Sequence, residues 1–200
     1  MRMQDNDRIK AIGRELKVHG QILGGFVLII WLVELIDRLL LDSSLDALGI
    51  RPRIPGGLSG VLFAPFLHHG FAHVAANTLP FLVLGWLVML GGLPQFFFVT
   101  IFTMLVSGLG TWLIGPANTV HVGASGLIFG YVGFLLFSGY FQRSCRSIAW
   151  AVIVFLFYGG ALLGVLPQGG NISWQVHLFG FIAGGAAAYL WTTRSPAGIL

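Results

Sequence analysis

Six apolar stretches, each long enough to cross a bilayer as a helix of about 20 residues, constrain this chain more than any other feature. They lie at roughly 21–41, 71–92, 95–115, 123–140, 147–166 and 172–192. The breaks between them carry the loop signals RPRIPGG, GGLPQ, GPANTV, YFQRSCRS and LPQGGN. Because the stretches are continuous rather than alternating, they predict helices and not the strands of a β-barrel. We therefore expect an all-α integral membrane protein with six transmembrane helices.

Lysine and arginine indicate the orientation of these helices. With the N-terminus inside, the cytoplasmic side holds the five cations before residue 20 with Arg143, Arg146 and Arg194, and the outer side holds Arg38, Arg51 and Arg53. This excess predicts a multi-pass protein of the cell membrane with both termini in the cytoplasm. Three parts follow: a basic cytoplasmic segment at 1–20, a six-helix membrane domain at 21–192, and a short cytoplasmic tail at 193–200. The basic segment is typical of a cytoplasmic face rather than of a nucleic-acid site.

The first outer loop contains an apolar segment that is too short to span. This segment, GGLSGVLFAPFLHHG, is interrupted by Pro65. We expect it to lie in the membrane interface.

All seven acidic residues lie at or before Asp46, so no carboxylate occurs from Ala47 to Leu200. An aspartyl dyad, a carboxylate-ligated metal and an acidic proton relay therefore lack their essential groups in the main apolar body. We expect neither a metal nor an organic cofactor.

Polar side chains are costly inside a membrane, and those of the apolar body gather at the starts of the second, fourth and sixth stretches. They are His68, His69, His73, Asn77 and Thr78, then Ser125, then His177. In the predicted orientation all three stretches begin on the outer side. The polar groups are therefore expected at similar depth, near the outer leaflet, as one site.

Glycines indicate which helices meet at that site. The fourth stretch carries a stripe of Gly126, Gly130 and Gly133, and the sixth carries His177, Gly180 and Gly184 on one face. Such small-residue patterns let helices approach backbone to backbone, although they also occur without any chemistry. If the two stripes face each other, His177 is carried toward Ser125.

A serine needs a base to act as a nucleophile, and neutral imidazole is the usual one. Since no acid is available, the residues predict a Ser125–His177 dyad rather than a triad. Phe129, one turn after Ser125, could hold the imidazole plane or could simply pack in the core.

Acyl transfer also needs donors for the developing oxyanion. His73 and Asn77, four apart on one helical face, could serve with the Ser125 amide, although a bridging hydrogen bond between helices is the alternative for Asn77. His68 could complete the pocket or be merely solvated.

These residues together resemble the rhomboid family of intramembrane serine proteases. The matching pieces are His68-x4-His73-x3-Asn77, then Gly123-Ala-Ser125-Gly126, then His177-x2-Gly180-x3-Gly184, and the resemblance covers residues 21 to 192. It implies a six-transmembrane-helix rhomboid-like bundle with an interfacial first outer loop.

The resemblance also implies roles for the matched residues. Ser125 would be the nucleophile and His177 the base, with an oxyanion hole from His73, Asn77 and the Ser125 amide. Substrates would be single-span membrane proteins cut in or beside their transmembrane segment, at a site open to the outer face. Many members carry a Trp-Arg pair in the first outer loop, whereas this chain has GIRPR without tryptophan, which puts the packing of that loop in question.

Two other classes of protein remain open. A binding protein of the same fold would recognise transmembrane helices without cutting them, but it has no need of both Ser125 and His177. A transporter or channel usually places charges, broken helices or inverted repeats at mid-membrane, and the single outer depth of the polar groups disfavours this class. The expected partners are single-span substrates and the bilayer, with no nucleic acid and no requirement for an oligomer.

Overall fold

The computed structural model describes residues 2–167 and 173–194, with side chains from Lys10 onward. Six long helices dominate this part of the chain, and each of the six predicted stretches falls on one of them. They are α1 (Arg2–Leu40), α2 (Phe71–Met89), α3 (Leu93–Ile114), α4 (Ser125–Gln142), α5 (Cys145–Tyr158) and α6 (Trp174–Arg194). α5 continues as the 3-10 helix Gly159–Val165. Residues 168–172 of the predicted membrane domain and 195–200 of the predicted tail lie outside the described residues.

Four helical segments in the described chain are long and apolar enough to cross a membrane. They are Phe71–Met89, Leu93–Ile114, Ser125–Gln142 and Cys145–Val165. α6 is not among them, since it carries Gln175, His177 and many glycines and alanines in place of large apolar side chains. α1 is not among them either, and it joins the predicted cytoplasmic segment 1–20 to the first predicted span without a break. The six-span arrangement therefore stays a prediction.

α4 is the central helix of the bundle. Of its 18 residues, 67% are buried inside the protein, against 6% of an 18-residue stretch of the segment Cys145–Val165. Tyr131 and Phe134 of α4 are fully buried and belong to the same core cluster as Phe81 of α2 and Val99 of α3. By contrast, Phe155, Leu156 and Phe157 of α5 are exposed, as expected of side chains that face lipid. Ser125, at the start of α4, therefore sits on the most enclosed helix.

α4 and α6 pack backbone to backbone through the two predicted glycine stripes. A Cβ at Gly180 would collide with the carbonyl oxygen of Gly126, and one at Gly184 would collide with that of Gly130. Gly133 meets the carbonyl oxygen of Phe181 in the same way. No side chain fits between the two helices at these levels, so the stripes fix how close α4 and α6 lie.

The loop between α1 and α2 folds into short helical turns that are tied to the end of α3. The turns are Ser44–Leu48, Pro55–Leu58, Gly60–Phe63 and Ala64–Phe66. Arg53 Nη1 donates to the carbonyl oxygens of Leu113, at 3.2 Å, and Gly115, at 2.7 Å. Trp112 of α3 donates from Nε1 to the Ile54 carbonyl oxygen at 2.9 Å. A tryptophan from α3 thus anchors the loop that lacks a tryptophan of its own.

Candidate active site

Ser125 and His177 lie within hydrogen-bond distance at the N-terminal ends of two packed helices. Ser125 is the first residue of α4, and His177 lies in the first turn of α6. The Oγ of Ser125 is 2.9 Å from the Nε2 of His177. The glycine contact of Gly180 with Gly126, one turn further along α6, holds the helices at this separation. The structure thus pairs a hydroxyl with an imidazole, as a nucleophile and its base require.

A backbone carbonyl holds the other ring nitrogen of His177. The Nδ1 lies 3.0 Å from the carbonyl oxygen of Gly164, in the 3-10 helix that follows α5. Since a carbonyl oxygen only accepts, we assign the ring hydrogen to Nδ1, which leaves Nε2 to accept the hydroxyl hydrogen of Ser125. Gly164 therefore takes the orienting place that an acid holds in a triad. Residue types alone did not reveal this contact, because any residue can supply a backbone carbonyl.

Phe129 lies flat against the imidazole of His177. The two ring centroids are 4.1 Å apart and the ring planes differ by 11°. Phe129 is itself buried, at 8% exposure, so the ring is fixed by its own packing on α4. The stacking limits rotation of the imidazole about its bond to Cβ, while the Gly164 carbonyl fixes which edge faces Ser125.

Gly123 lies where the segment before Ser125 passes against α2. Its φ of +120° is one that residues with a side chain rarely adopt. A Cβ here would lie 2.8 Å from Cε1 and 2.9 Å from Nε2 of His73, and 3.8 Å from Nδ2 of Asn77. The Gly123 amide donates to the carbonyl oxygen of Ala64 at 2.8 Å. A glycine is therefore required for this segment to reach both the loop between α1 and α2 and the polar face of α2.

Three N–H groups near Gly123 and Ser125 have donor capacity to spare. Within residues 2–167 and 173–194, the Ser125 amide has no acceptor. The His73 Nδ1 accepts from the His69 amide at 3.3 Å, which assigns the ring hydrogen to Nε2, on the Gly123 side. Asn77 Nδ2 uses one hydrogen on the His73 carbonyl oxygen at 3.1 Å and keeps a second. These donors surround the segment that carries the serine.

His68 is buried beside the same segment and binds its backbone. The side chain is 1% exposed, and its Nε2 accepts from the Ala124 amide at 3.3 Å. Its ring meets that of His73 edge-on, with centroids 5.0 Å apart. Burial first, and the neighbouring His73 second, lower the pKa of His68 to about 3. His68 is therefore a neutral acceptor that holds the residue before Ser125, not a donor at Nε2.

Imidazole and amide groups make up the polar surroundings of Ser125. Near them, the carboxylate of Asp46 lies 3.1 Å from Nδ1 of His69. In the part of the chain that the structure describes, no three His, Cys, Asp or Glu side chains are grouped closely enough to hold a metal ion.

A family model matches most of the chain. The model of the Rhomboid domain matches residues 55–194, a range that includes Ser125, His177, Gly164, His73 and Asn77.

Similar proteins occur in bacteria and plants. The "Uncharacterized protein Rv1337" of Mycobacterium tuberculosis (strain ATCC 25618 / H37Rv) is 49% identical over an alignment of 181 residues that covers 86% of this chain and 75% of that protein. The "Putative rhomboid protease YdcA" of Bacillus subtilis (strain 168) is 32% identical over 125 residues, 62% of each chain. "RHOMBOID-like protein 5" of Arabidopsis thaliana is 26% identical over an alignment of 144 residues that covers 66% of this chain and 44% of that protein.

Proposed function

The chain belongs to the rhomboid family, and we propose that it is an intramembrane serine endopeptidase that cleaves single-span membrane proteins in or near their transmembrane segment. One observation carries the proposal. The Ser125 Oγ and the His177 Nε2 are 2.9 Å apart, and the Gly164 carbonyl turns the imidazole so that Nε2 is free to accept a proton.

In the first step Ser125 Oγ attacks the carbonyl carbon of the scissile peptide bond while its proton moves to Nε2 of His177. The new C–O bond produces a tetrahedral intermediate with a negatively charged oxygen. When this intermediate collapses, the C–N bond breaks and His177 passes the proton to the leaving amine. Water then attacks the acyl-enzyme ester with His177 as base, and the Ser125 hydroxyl is restored.

The developing oxyanion would be stabilised by the spare donors around Gly123. In our proposal these are the Ser125 amide, the Nε2–H of His73 and the second amide hydrogen of Asn77. His68 would support them by holding Ala124. Phe129, Gly126, Gly180 and Gly184 would act by fixing the imidazole and the approach of α6 to α4.

Substrates that reach this site would arrive through the bilayer. Large apolar side chains are exposed along the helices, as in Phe157 at 80% and Leu156 at 72%, which is consistent with a lipid-facing surface. We propose the cell membrane as the location, both termini in the cytoplasm and a site open to the outer face, from the distribution of arginine and lysine. The site residues described here all come from one chain, so the proposal needs no oligomer.

The direct test is cleavage of a model single-span substrate by the purified protein in liposomes, beside Ser125→Ala and His177→Ala. We expect the wild type to cut and both folded variants to be inert. A helix-binding protein without activity would instead leave the substrate intact in all three samples while the substrate co-purifies with each of them. Cleavage by the variants, or none by the wild type, would overturn the proposal.

A further inference from the structure

A second serine–histidine pair joins the start of α4 to the start of α6. In this pair the histidine belongs to the segment before α4 and the serine to the segment before α6. The Nδ1 of His121 lies 2.7 Å from the Oγ of Ser173, and the two residues are 52 positions apart, as are Ser125 and His177. His121 stands four residues before Ser125, and Ser173 stands four residues before His177. The second pair therefore lies four residues N-terminal to the first, both before α4 and before α6.

The hydrogen bonds around His121 form a directed chain. Thr119 Oγ1 donates to the carbonyl oxygen of Pro116 at 2.7 Å, so its lone pairs are left to accept from Nε2–H of His121 at 2.9 Å. The ring hydrogen is then on Nε2, and Nδ1 accepts from the Ser173 hydroxyl. His121 is 4% exposed, and burial, with a smaller contribution from His69, lowers its pKa to about 4, which keeps the ring neutral.

Both ends of this contact are anchored. The backbone of His121 exchanges two hydrogen bonds with Ile50 of the first outer loop, at 3.0 Å and 2.9 Å. At the other end, the carbonyl oxygen of Ser173 accepts the backbone N–H of His177 at 3.3 Å. These hydrogen bonds thus connect the outer loop, through His121 and Ser173, to the first turn of α6, which carries the imidazole of His177.

The first turn of α6 needs such an anchor. Helix ends lack part of their internal hydrogen bonds and fray first. The backbone-to-backbone glycine contacts between α4 and α6 start at Gly180, beyond His177. Before His177 the side chain of Val176 packs against Gly126, and this apolar contact leaves the backbone of the first turn to be held by hydrogen bonds such as that of Ser173.

We propose that His121 and Ser173 are positioning residues: together they form a clamp that fixes the start of α6 so that His177 Nε2 meets Ser125 Oγ. This inference rests on the proposed function. The clamp acts through His177 and touches no substrate, because the His121 ring is buried and its Nε2 is already used on Thr119.

The test compares four variants in a cleavage assay: Ser173→Ala, Ser173→Thr, His121→Ala, and the double variant that combines Ser173→Ala with His121→Ala. Thr192→Ala is the matched control, since its hydroxyl also lies on α6 but bonds only its own helix at Ala188. We expect Ser173→Ala to lower kcat by about tenfold to a hundredfold with KM changed less than about twofold, as misplacement of a reacting group does. Ser173→Thr, which keeps the hydroxyl, restores most of kcat.

Coupling between the two residues gives the second readout. If they act as one clamp, the double variant loses no more kcat than the worse single variant. Multiplied losses, a loss confined to KM, or a Ser173→Ala enzyme as active as Thr192→Ala would overturn the proposal.

Hydrogen exchange separates this proposal from the proposed function. Ser173→Ala should speed exchange of the backbone amides at 174–178 by at least about tenfold, while Thr192→Ala leaves them unchanged. If wild type and Ser125→Ala are equally inert, the proposed function fails and exchange still decides whether the clamp exists. Unchanged exchange in Ser173→Ala would overturn the clamp even in an active protease.

Discussion

The Nδ1 of His177 and the carbonyl oxygen of Gly164 lie 3.0 Å apart, and this contact decides which nitrogen of the imidazole faces Ser125. The carbonyl belongs to the 3-10 helix Gly159–Val165 after α5, so a third part of the chain orients the base. A neutral backbone group does so without adding a charge to an apolar environment. Orientation of the His177 imidazole therefore depends on the close approach of this 3-10 helix.

Gly164→Ala tests that approach. An added Cβ would lie 3.1 Å from Cζ of Phe129 and 3.3 Å from Nδ1 of His177, so the imidazole or the 3-10 helix must shift. We expect kcat to fall by about tenfold or more, because small misplacements of the reacting atoms are costly. Gly160→Ala is the matched control in the same 3-10 helix, since its Cβ meets nothing within 4 Å. Equal activity of the two variants would show that the base does not depend on this contact.

Asn77→Ala tests the proposed oxyanion donors. Removal of one donor should lower kcat by about a hundredfold and leave KM nearly unchanged, because the interaction strengthens in the transition state. Thr78→Val is the control, since Thr78 lies next along α2 but bonds the Val74 carbonyl oxygen and Trp31 instead. A rise in KM without loss of kcat would assign Asn77 to substrate binding or to helix packing.

Gly184→Ala tests the contact between α4 and α6. Its Cβ would overlap the carbonyl oxygen of Gly130 and force the helices apart. We expect the free energy of unfolding to fall by about 1–3 kcal/mol, as in other overpacked cores, with loss of activity because His177 moves with α6. Gly24→Ala in α1 has open space at its Cβ and should cost nothing. Thermal unfolding in detergent measures both, and equal midpoints would contradict the packing described here.

The buried histidines His68 and His121 predict how stability depends on pH. Burial lowers their pKa values to about 3 and about 4, whereas an unfolded histidine titrates near about 6.5. As the pH falls below about 6.5, both histidines become protonated in the unfolded chain but stay neutral in the folded protein. Stability is therefore complete above about pH 6.5 and declines as the pH approaches 4.

His121→Asn should make that decline shallower, because one titrating histidine is removed. Ser173→Ala removes the same side-chain hydrogen bond but keeps the imidazole, so it should retain the wild-type slope. Unfolding midpoints measured from pH 8 to pH 4 give both slopes. A His121→Asn protein with the wild-type slope would show that the His121 imidazole titrates alike in the folded and unfolded protein, as an exposed ring does.

The positions of the long helices and the pairing of Ser125 with His177 were accessible from sequence. Membrane helices need long apolar runs, and a polar side chain within such a run is costly enough to mark a site. The glycine stripes predicted that α4 and α6 pack against each other, because only small residues allow the observed contact between Gly126 and Gly180. His73 and Asn77 were placed on one face by their spacing of four along α2.

Contacts made by backbone atoms or by loops were not accessible. Gly164 acts through its carbonyl, which every residue possesses. His121 and Ser173 lie in loop segments where no helical periodicity relates them, so their contact depends on how α3, α4 and α6 pack. The Arg53 and Trp112 contacts that hold the loop between α1 and α2 join residues about 60 positions apart, which no local pattern encodes.

The central claim is that His177 activates Ser125, and covalent labelling tests it most directly. The protein in liposomes would be treated with a fluorophosphonate, which reacts with activated serines, and the modified residue located by mass spectrometry. We predict one adduct, on Ser125, that forms at least about a hundredfold more slowly in His177→Ala and in no measurable amount in Ser125→Ala. Labelling of Ser125 at the same rate without His177, or no labelling of Ser125 in a folded wild-type protein, would contradict the account.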